Sequence, residues 1–250
     1  MTAWMHLIIA LLCACASGLQ SSKAALDAGR ALKWQMRGQA PFRREAARMG
    51  AVRAFRVGSL GSGEPEMRAL CALRASELLR AAGLDEPGLK ELMRGAALAP
   101  STPSQRCMLT AGEALIAAGR HAEAARFLEA LEEEVGPSRL IEAARVLRGV
   151  SLKERGERVA AVRIWREVAE EGATPRARID AFERWGEELL SEGDIDGAAG
   201  VLHLCRKSLS VAALQATAQG REVRALLRRS SLATLIRRAM CSRQSERSPF

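Results

Sequence analysis

Four glycines divide the middle of the chain at a nearly constant interval. Gly83, Gly119, Gly156 and Gly193 are separated by 36, 37 and 37 residues. Their flanks agree in register. Four residues before each lies a leucine: Leu79, Leu115, Leu152 and Leu189. Seven before lie the small residues Ser76, Gly112, Gly149 and Gly186, and five after lie Gly88, Ala124, Ala161 and Ala198. Nine after come Leu92, Leu128, Trp165 and Leu202, and twelve after come Gly95, Leu131, Val168 and Cys205. A Pro or Gly closes the first three units near Pro100, Gly136-Pro137 and Pro175.

This spacing has a physical reading. A helix ends at each glycine, which takes the left-handed conformation that a helix terminus favours. A second helix is expected to begin three or four residues later. The small positions let two helix backbones approach closely, and the large apolar ones fill the groove between neighbouring hairpins. One such hairpin cannot bury its apolar face alone, so hairpins must stack. Composition agrees. The 250 residues are rich in Ala, Leu, Arg and Glu, which are strong helix formers, and 48% are apolar. General disorder and an all-β fold are both excluded on that basis. Aromatics make up only 4%, with no tyrosine, so the stacking ladders of single-strand nucleic-acid binders are absent.

At this point the pattern resembles the tetratricopeptide repeat. That motif sets small residues at positions 8, 15 and 20, large ones at 11 and 24, and Pro near 32 of a unit of about 34 residues. The segment from Gly112 to Pro137 matches best, and FERWGEELLSEGDIDGAAGVLHLC, beginning at Phe182, is nearly as close. The resemblance covers residues 69–212. The units depart from it by being two or three residues longer, and Leu stands at position 11 throughout. Arg145 and Arg148 stand where a large apolar pair is expected. The expected fold is all-α: an α-solenoid of about four tetratricopeptide-like hairpins with flanking helices.

The flanks divide as follows. Residues 1–16 read as a signal peptide or lipoprotein signal, residues 17–56 as a basic helical segment and residues 57–68 as a linker. Residues 213–241 read as basic C-terminal capping helices and residues 242–250 as a disordered tail. Within 17–56, helices are expected over Ala24 to Arg37 and Phe42 to Arg56, as one more degenerate hairpin. The apolar run from Trp4 to Ala16 has 13 residues, too few to span a bilayer but the length of a signal-peptide core. Ala14-Cys15-Ala16 is an A-x-A-like cleavage site, and Leu12-Cys13-Ala14-Cys15 resembles a lipobox that would make Cys15 the lipidated residue. No Lys or Arg precedes the run, which weighs against export. Export is the expectation, with a cytoplasmic chain as the alternative.

No catalytic chemistry is legible. His6, His121 and His203 show no metal-ligand spacing, and there is no phosphate-binding loop motif or nucleophile elbow. Gly58 to Gly63 is Gly-rich, but no strand precedes it, so it reads as linker. Cys71, Cys107, Cys205 and Cys241 are widely spaced, in contexts that suggest small buried residues. Glu132-Glu133-Glu134 and Glu187-Glu188 read as solvated faces. No enzyme activity, cofactor or metal is expected.

What the resemblance implies about ligands is more specific. In tetratricopeptide proteins the first helices line the binding surface, through positions that include 2, 9 and 12. Position 9 is Glu77, Glu113, Val150 and Glu187; position 12 is Arg80, Ile116, Lys153 and Leu190; position 2 is Leu70, Arg106, Ala143 and Asp180. The carboxylate-clamping subset carries Asn at position 9, which no unit here has. The expected groove residues are therefore Glu77, Arg80, Arg106, Glu113, Lys153, Asp180 and Glu187. Three glutamates there make a mildly acidic groove, unless they only solvate the helices.

The charge distribution sharpens the partner. The whole chain carries +9. Residues 61–202 hold 19 basic and 25 acidic side chains, whereas residues 17–60 hold nine and two, and residues 203–250 hold ten and two. An acidic middle between basic ends favours a protein or peptide partner with a basic segment. One candidate is the chain's own C-terminal stretch, with Arg221, Arg224, Arg228, Arg229, Arg237 and Arg238. An anionic membrane surface is the alternative partner, and nucleic acid is disfavoured.

Overall fold

The computed structural model describes residues 22–35, 41–134 and 139–214. Residues 1–16, read above as a signal, residues 215–241 of the segment read as capping helices, and residues 242–250, read as a tail, lie outside the described residues. The chain divides into two compact units, Met1–Gly119 and Arg120–Phe250. The first contains α1 (Ser22–Gln35), α2 (Pro41–Leu60), α3 (Pro65–Arg80), α4 (Asp85–Ala96) and α5 (Thr102–Ala117). The second contains α6 (His121–Glu134), α7 (Arg139–Glu154), α8 (Arg158–Glu171), α9 (Pro175–Ser191) and α10 (Ile195–Leu214). Within each unit every helix packs on the next one. The first helices of successive hairpins also touch: α1 on α3 and α3 on α5 in one unit, α7 on α9 in the other. No strand occurs among the described residues.

The four turn glycines all adopt positive φ, at 74°, 72°, 87° and 80°. No heavy atom lies within 4 Å of where a Cβ would stand at any of them. Glycine is required there by backbone conformation and not by space. The leucine four residues earlier acts through its carbonyl. Leu79, Leu152 and Leu189 accept from the amides of Leu84, Glu157 and Asp194 at 3.0, 2.9 and 2.9 Å. These bonds close the helix end in the Schellman manner. The turns are tighter than expected, with each second helix starting two residues after its glycine.

The small positions do mark close approaches. A Cβ on Gly149 would lie 2.8 Å from Cε2 of Trp165. That buried indole crosses α7 and donates Nε1–H to the carbonyl of Val146 at 3.0 Å. Ala124, Ala161 and Ala198 have no exposed surface. A Cβ on Gly95 would meet Cys107 Sγ at 2.6 Å, and one on Gly58 would meet Cys71 Sγ at 2.7 Å. Both thiols also reach a carbonyl on an earlier first helix, Ala69 and Ser22 respectively, at 3.5 Å. The basic N-terminal pair α1/α2 therefore packs on α3 with the same sulfur-on-glycine contact that joins two full repeats.

The linker expected over residues 57–68 is mostly helix. The break is confined to residues 61–64, between the ends of α2 and α3. Gly58 and Ser59 are buried inside α2. The glycine that read as flexible is there because Cys71 and Ala25 leave no room for a side chain.

Helix starts are built by different means. Ser101 and Ser104 form a reciprocal capping box on α5, with Ser101 N–H donating to Ser104 Oγ at 2.8 Å. The start of α9 has no cap of its own, and Glu142 of α7 supplies one. Its carboxylate accepts from the amides of Ala173 and Thr174 and from the Thr174 hydroxyl. A carboxylate at a helix N-terminus satisfies orphan amides and faces the positive end of the dipole.

The packing at Gly149 can be tested directly. Gly149→Ala should destabilise the protein by about 1–3 kcal/mol, the usual cost of overfilling a packed site. Gly200 lies in α10 with nothing within 4 Å of its Cβ position. Gly200→Ala should therefore stabilise by roughly 0.5–1 kcal/mol. Urea unfolding midpoints of the two variants should move in opposite directions, and a shift in the same direction would contradict the packing described.

Candidate functional site

The first helices carry the expected groove residues, and the structure shows what each touches. In the first unit, the Glu77 carboxylate of α3 accepts from Arg74 Nη1 at 2.7 and 2.9 Å. Lys33 of α1 reaches the same carboxylate at 3.4 Å. Glu113 of α5 is exposed at its outer edge, yet partial desolvation raises its carboxyl above the usual range, and the Arg80 guanidinium opposes that rise. Arg80 also packs its stem against the site of the missing Gly88 side chain, where a Cβ would lie 2.7 Å from its Cγ. Arg106 is exposed on α5 and forms no ion pair among the described residues. Electrostatic contacts thus run from α1 to α3 and from α3 to α5.

In the second unit, Glu187 pairs with Arg184 at 3.3 Å and Asp180 with Arg176 at 3.1 Å, both within α9. Lys153 crosses from α7 to α9 and meets Glu188 at 2.7 Å. Glu188 is only 1% exposed. Its other oxygen faces Arg158 at the start of α8, at 3.3 Å. These are ion-pair contacts without hydrogen-bond alignment. Lys153 is thus occupied in binding its neighbouring repeat. Of the two glutamates read as a solvated face, Glu188 is part of the core and Glu187 remains at the surface.

The same correction applies at the triple glutamate. Glu132 is mostly buried and held by Arg148 at 2.9 Å and Arg145 at 3.4 Å. Arg148 also reaches Glu129 at 3.1 Å. The two arginines that replace the expected apolar pair on α7 therefore clamp carboxylates of α6. Burial raises the Glu132 carboxyl, and Arg148 and then Arg145 pull it back. Glu133 is exposed, as expected.

Another buried charge stands outside the sequence expectations. Glu91 of α4 is buried and ion-pairs with Arg56 of α2 at 2.7 Å and with Arg94 one turn on. Its position carries a signal: Glu91 falls on the helix stripe of Gly88, Leu92 and Gly95. Glu188 likewise follows Trp185 by three residues and Ala181 by seven, on the buried side of α9.

Among the described residues, no group of three His, Cys, Asp or Glu could hold a metal ion. His121 begins α6 and His203 is exposed on α10. Cys71, Cys107 and Cys205 are buried and free, as the apolar contexts suggested. Cys241 lies outside the described residues. Burial pushes the thiols up to about 11, 12 and 11 respectively. No helix among the described residues is long and apolar enough to cross a membrane.

Comparisons with known proteins add the fold. Neither the known protein families nor the curated proteins give a match. A solved structure described as a Podosopora anserina putative kinesin light chain with nearly identical TPR-like repeats is similar at 15% identity and a TM-score of 0.51. It covers 73% of this chain and 95% of its own. A second crystal structure, of a substituted form of that protein, is similar at 15% identity and a TM-score of 0.53, covering 72% and 94%.

Two outcomes follow from the charge and thiol geometry. Lys153→Ala should cost roughly 1–3 kcal/mol, because a buried carboxylate loses one of two partners. Glu187→Ala should change stability by less than about 0.5 kcal/mol, as exposed pairs contribute little. Equal effects of the two in urea titrations would contradict the assignment. The thiols set a pH dependence. Unfolded thiols ionise near their ordinary value of 9, while the native ones hold their protons to about 11 or 12. Native stability from this source is complete below pH 9 and falls as pH rises from 9 to about 12, since the unfolded state binds fewer protons there. Cys107→Ala should flatten that fall relative to the unmodified protein, and an unchanged slope would count against burial of the thiol.

Proposed function

On a tetratricopeptide-like helical repeat fold, we propose that this chain is a non-enzymatic scaffold that binds another protein through its first helices. The observation that supports this most is a charge-bearing face on the first helices of each unit, α3 and α5 in one and α9 in the other, over an interior rich in small residues. The partner offered is a peptide or protein with a basic segment. Glu77, Glu113 and Glu187 are each beside a cation of the chain itself, Arg74 and Lys33, Arg80, and Arg184. A basic partner would therefore exchange with these pairs instead of meeting bare charge. Such exchange gives specificity and salt dependence more than raw affinity.

We further propose export, resting on the apolar run and the small-residue site at Ala14-Cys15-Ala16. The membrane-surface alternative rests on the basic side chains of residues 17–60, among which Lys23, Arg30 and Arg53 are exposed.

The scaffold reading predicts that immobilised full-length protein retains a basic helical peptide over an acidic one, with affinity falling as salt rises. Glu77→Lys with Glu113→Lys and Glu187→Lys should weaken binding by about tenfold, the combined effect of three exposed pairs. Undiminished binding by that variant would refute the assigned surface. Flotation with anionic and neutral vesicles separates the alternative, which requires binding to the anionic ones alone. N-terminal sequencing of the mature protein should begin at Ser17, or at a lipidated Cys15; an intact Met1 would exclude cleavage.

A further inference from the structure

A second surface, away from positions 2, 9 and 12 of the first helices, lies between α8 and α9. It is a groove of about 550 Å³ whose apolar lining includes Val159, Val162 and Trp185. Val159 is 87% exposed, the most solvent-facing of the large apolar side chains described. A valine at that exposure gains little from burial in the fold it stands on.

The charge around this groove is unbalanced in a specific way. Four glutamates and three arginines line it. Two of the arginines are engaged: Arg158 faces the buried Glu188, and Arg166 stands over the Trp185 ring at 4.8 Å. Glu167, Glu170 and Glu171 form no ion pair among the described residues, and they occupy the end of α8. That is the negative end of the helix dipole, where each exposed carboxylate is unfavourable. The last turn of α8 has no basic residue to offset them. Arg178 reaches only the Ala169 carbonyl there, at 2.9 Å. A local electrostatic rule is broken beside an unfilled apolar groove, the situation that marks a binding surface.

We propose that this groove is the docking site of the chain's own C-terminal segment, residues 226–240. Residues 215–250 carry eight arginines and two glutamates, opposite in sign to the end of α8. Leu232, Leu235, Ile236 and Met240 recur at intervals of three, one and four, the stripe by which an amphipathic helix seats in a groove. By helix periodicity Arg237 and Arg238 fall at the two edges of that stripe, and Arg228 and Arg229 precede it on the same face. The connection is long enough. Eleven residues separate Leu214 from Leu226, where the proposed segment begins, an extended reach of about 40 Å. The 17 residues of α9 span only about 25 Å. Tethering to the same chain supplies an effective concentration of the order of mM, which an untethered partner rarely matches. This assignment is independent of the first-helix surface, and either can fail without the other.

The test uses the full-length protein with a photo-crosslinking phenylalanine derivative in place of Val159, a site exposed enough to accept it. Irradiation followed by peptide mass spectrometry should give an intramolecular crosslink to residues 226–240, with a yield independent of protein concentration. Glu167→Lys with Glu170→Lys and Glu171→Lys should lower that yield by about tenfold, as expected for three exposed ion pairs. Leu235→Asp with Ile236→Asp, also in the full chain, should lower it by a similar factor. A crosslink to another copy, to any other part of the chain, or none at all would overturn the proposal. So would a yield unchanged by either set of substitutions.

Discussion

The close approach of helix backbones is the constraint on which the rest of this structure depends. It has two parts, a reversal of direction and the absence of side chains where helices cross. The left-handed glycines at 83, 119, 156 and 193 supply the first. Positions such as Gly149, Gly95 and Gly58 supply the second, since a methyl group at any of them would meet Trp165, Cys107 or Cys71. With contacts this close, shape is set by backbone and small residues. The large apolar side chains then fill the remaining space, as Trp165, Phe182, Leu92 and Leu128 do.

Close packing also explains where the charges went. Glu91, Glu132 and Glu188 each sit on a helix face turned toward a neighbour, and each is met by two cations from adjacent helices or the next turn. Breaking such a pair leaves an uncompensated buried charge, so these clusters resist a shift of one helix along another more than they add to stability. Glu142 adds a directional contact of the same kind, holding the start of α9 from the start of α7. The surface charges differ in character. The pairs of Glu77, Asp180 and Glu187 reach solvent and can exchange, as the proposed binding face would require.

Much of the fold was legible in the sequence because left-handed turns and small residues leave a signature at fixed spacing. The four glycines, the alanines five residues later and the buried cysteines all stand where their residue types imply. The departures have physical causes too. Gly58 looks like a linker residue because composition cannot distinguish a glycine chosen for flexibility from one chosen for lack of space. Glu188 looks solvated when read with its neighbour Glu187; helix periodicity turns adjacent residues by about 100°, so one faces Lys153 and the other water. The candidate groove residues follow from the repeat register, but their pairing does not. Which cation meets which carboxylate depends on how first helices lie against one another, and sequence spacing within one repeat does not contain that.

The central claim is that glycine conformation, and not merely small size, sets the repeat. Chirality tests it most directly. Gly156 has φ of 87° and no atom near its Cβ position. Protein assembled by ligation with L-alanine at this position should lose about 1–2 kcal/mol of unfolding free energy, the cost of the left-handed region for an L-residue. The D-alanine form should be at least as stable as the glycine protein, because the D-residue favours that region and reduces the freedom of the unfolded chain. Equal destabilisation by both alanines would contradict the account.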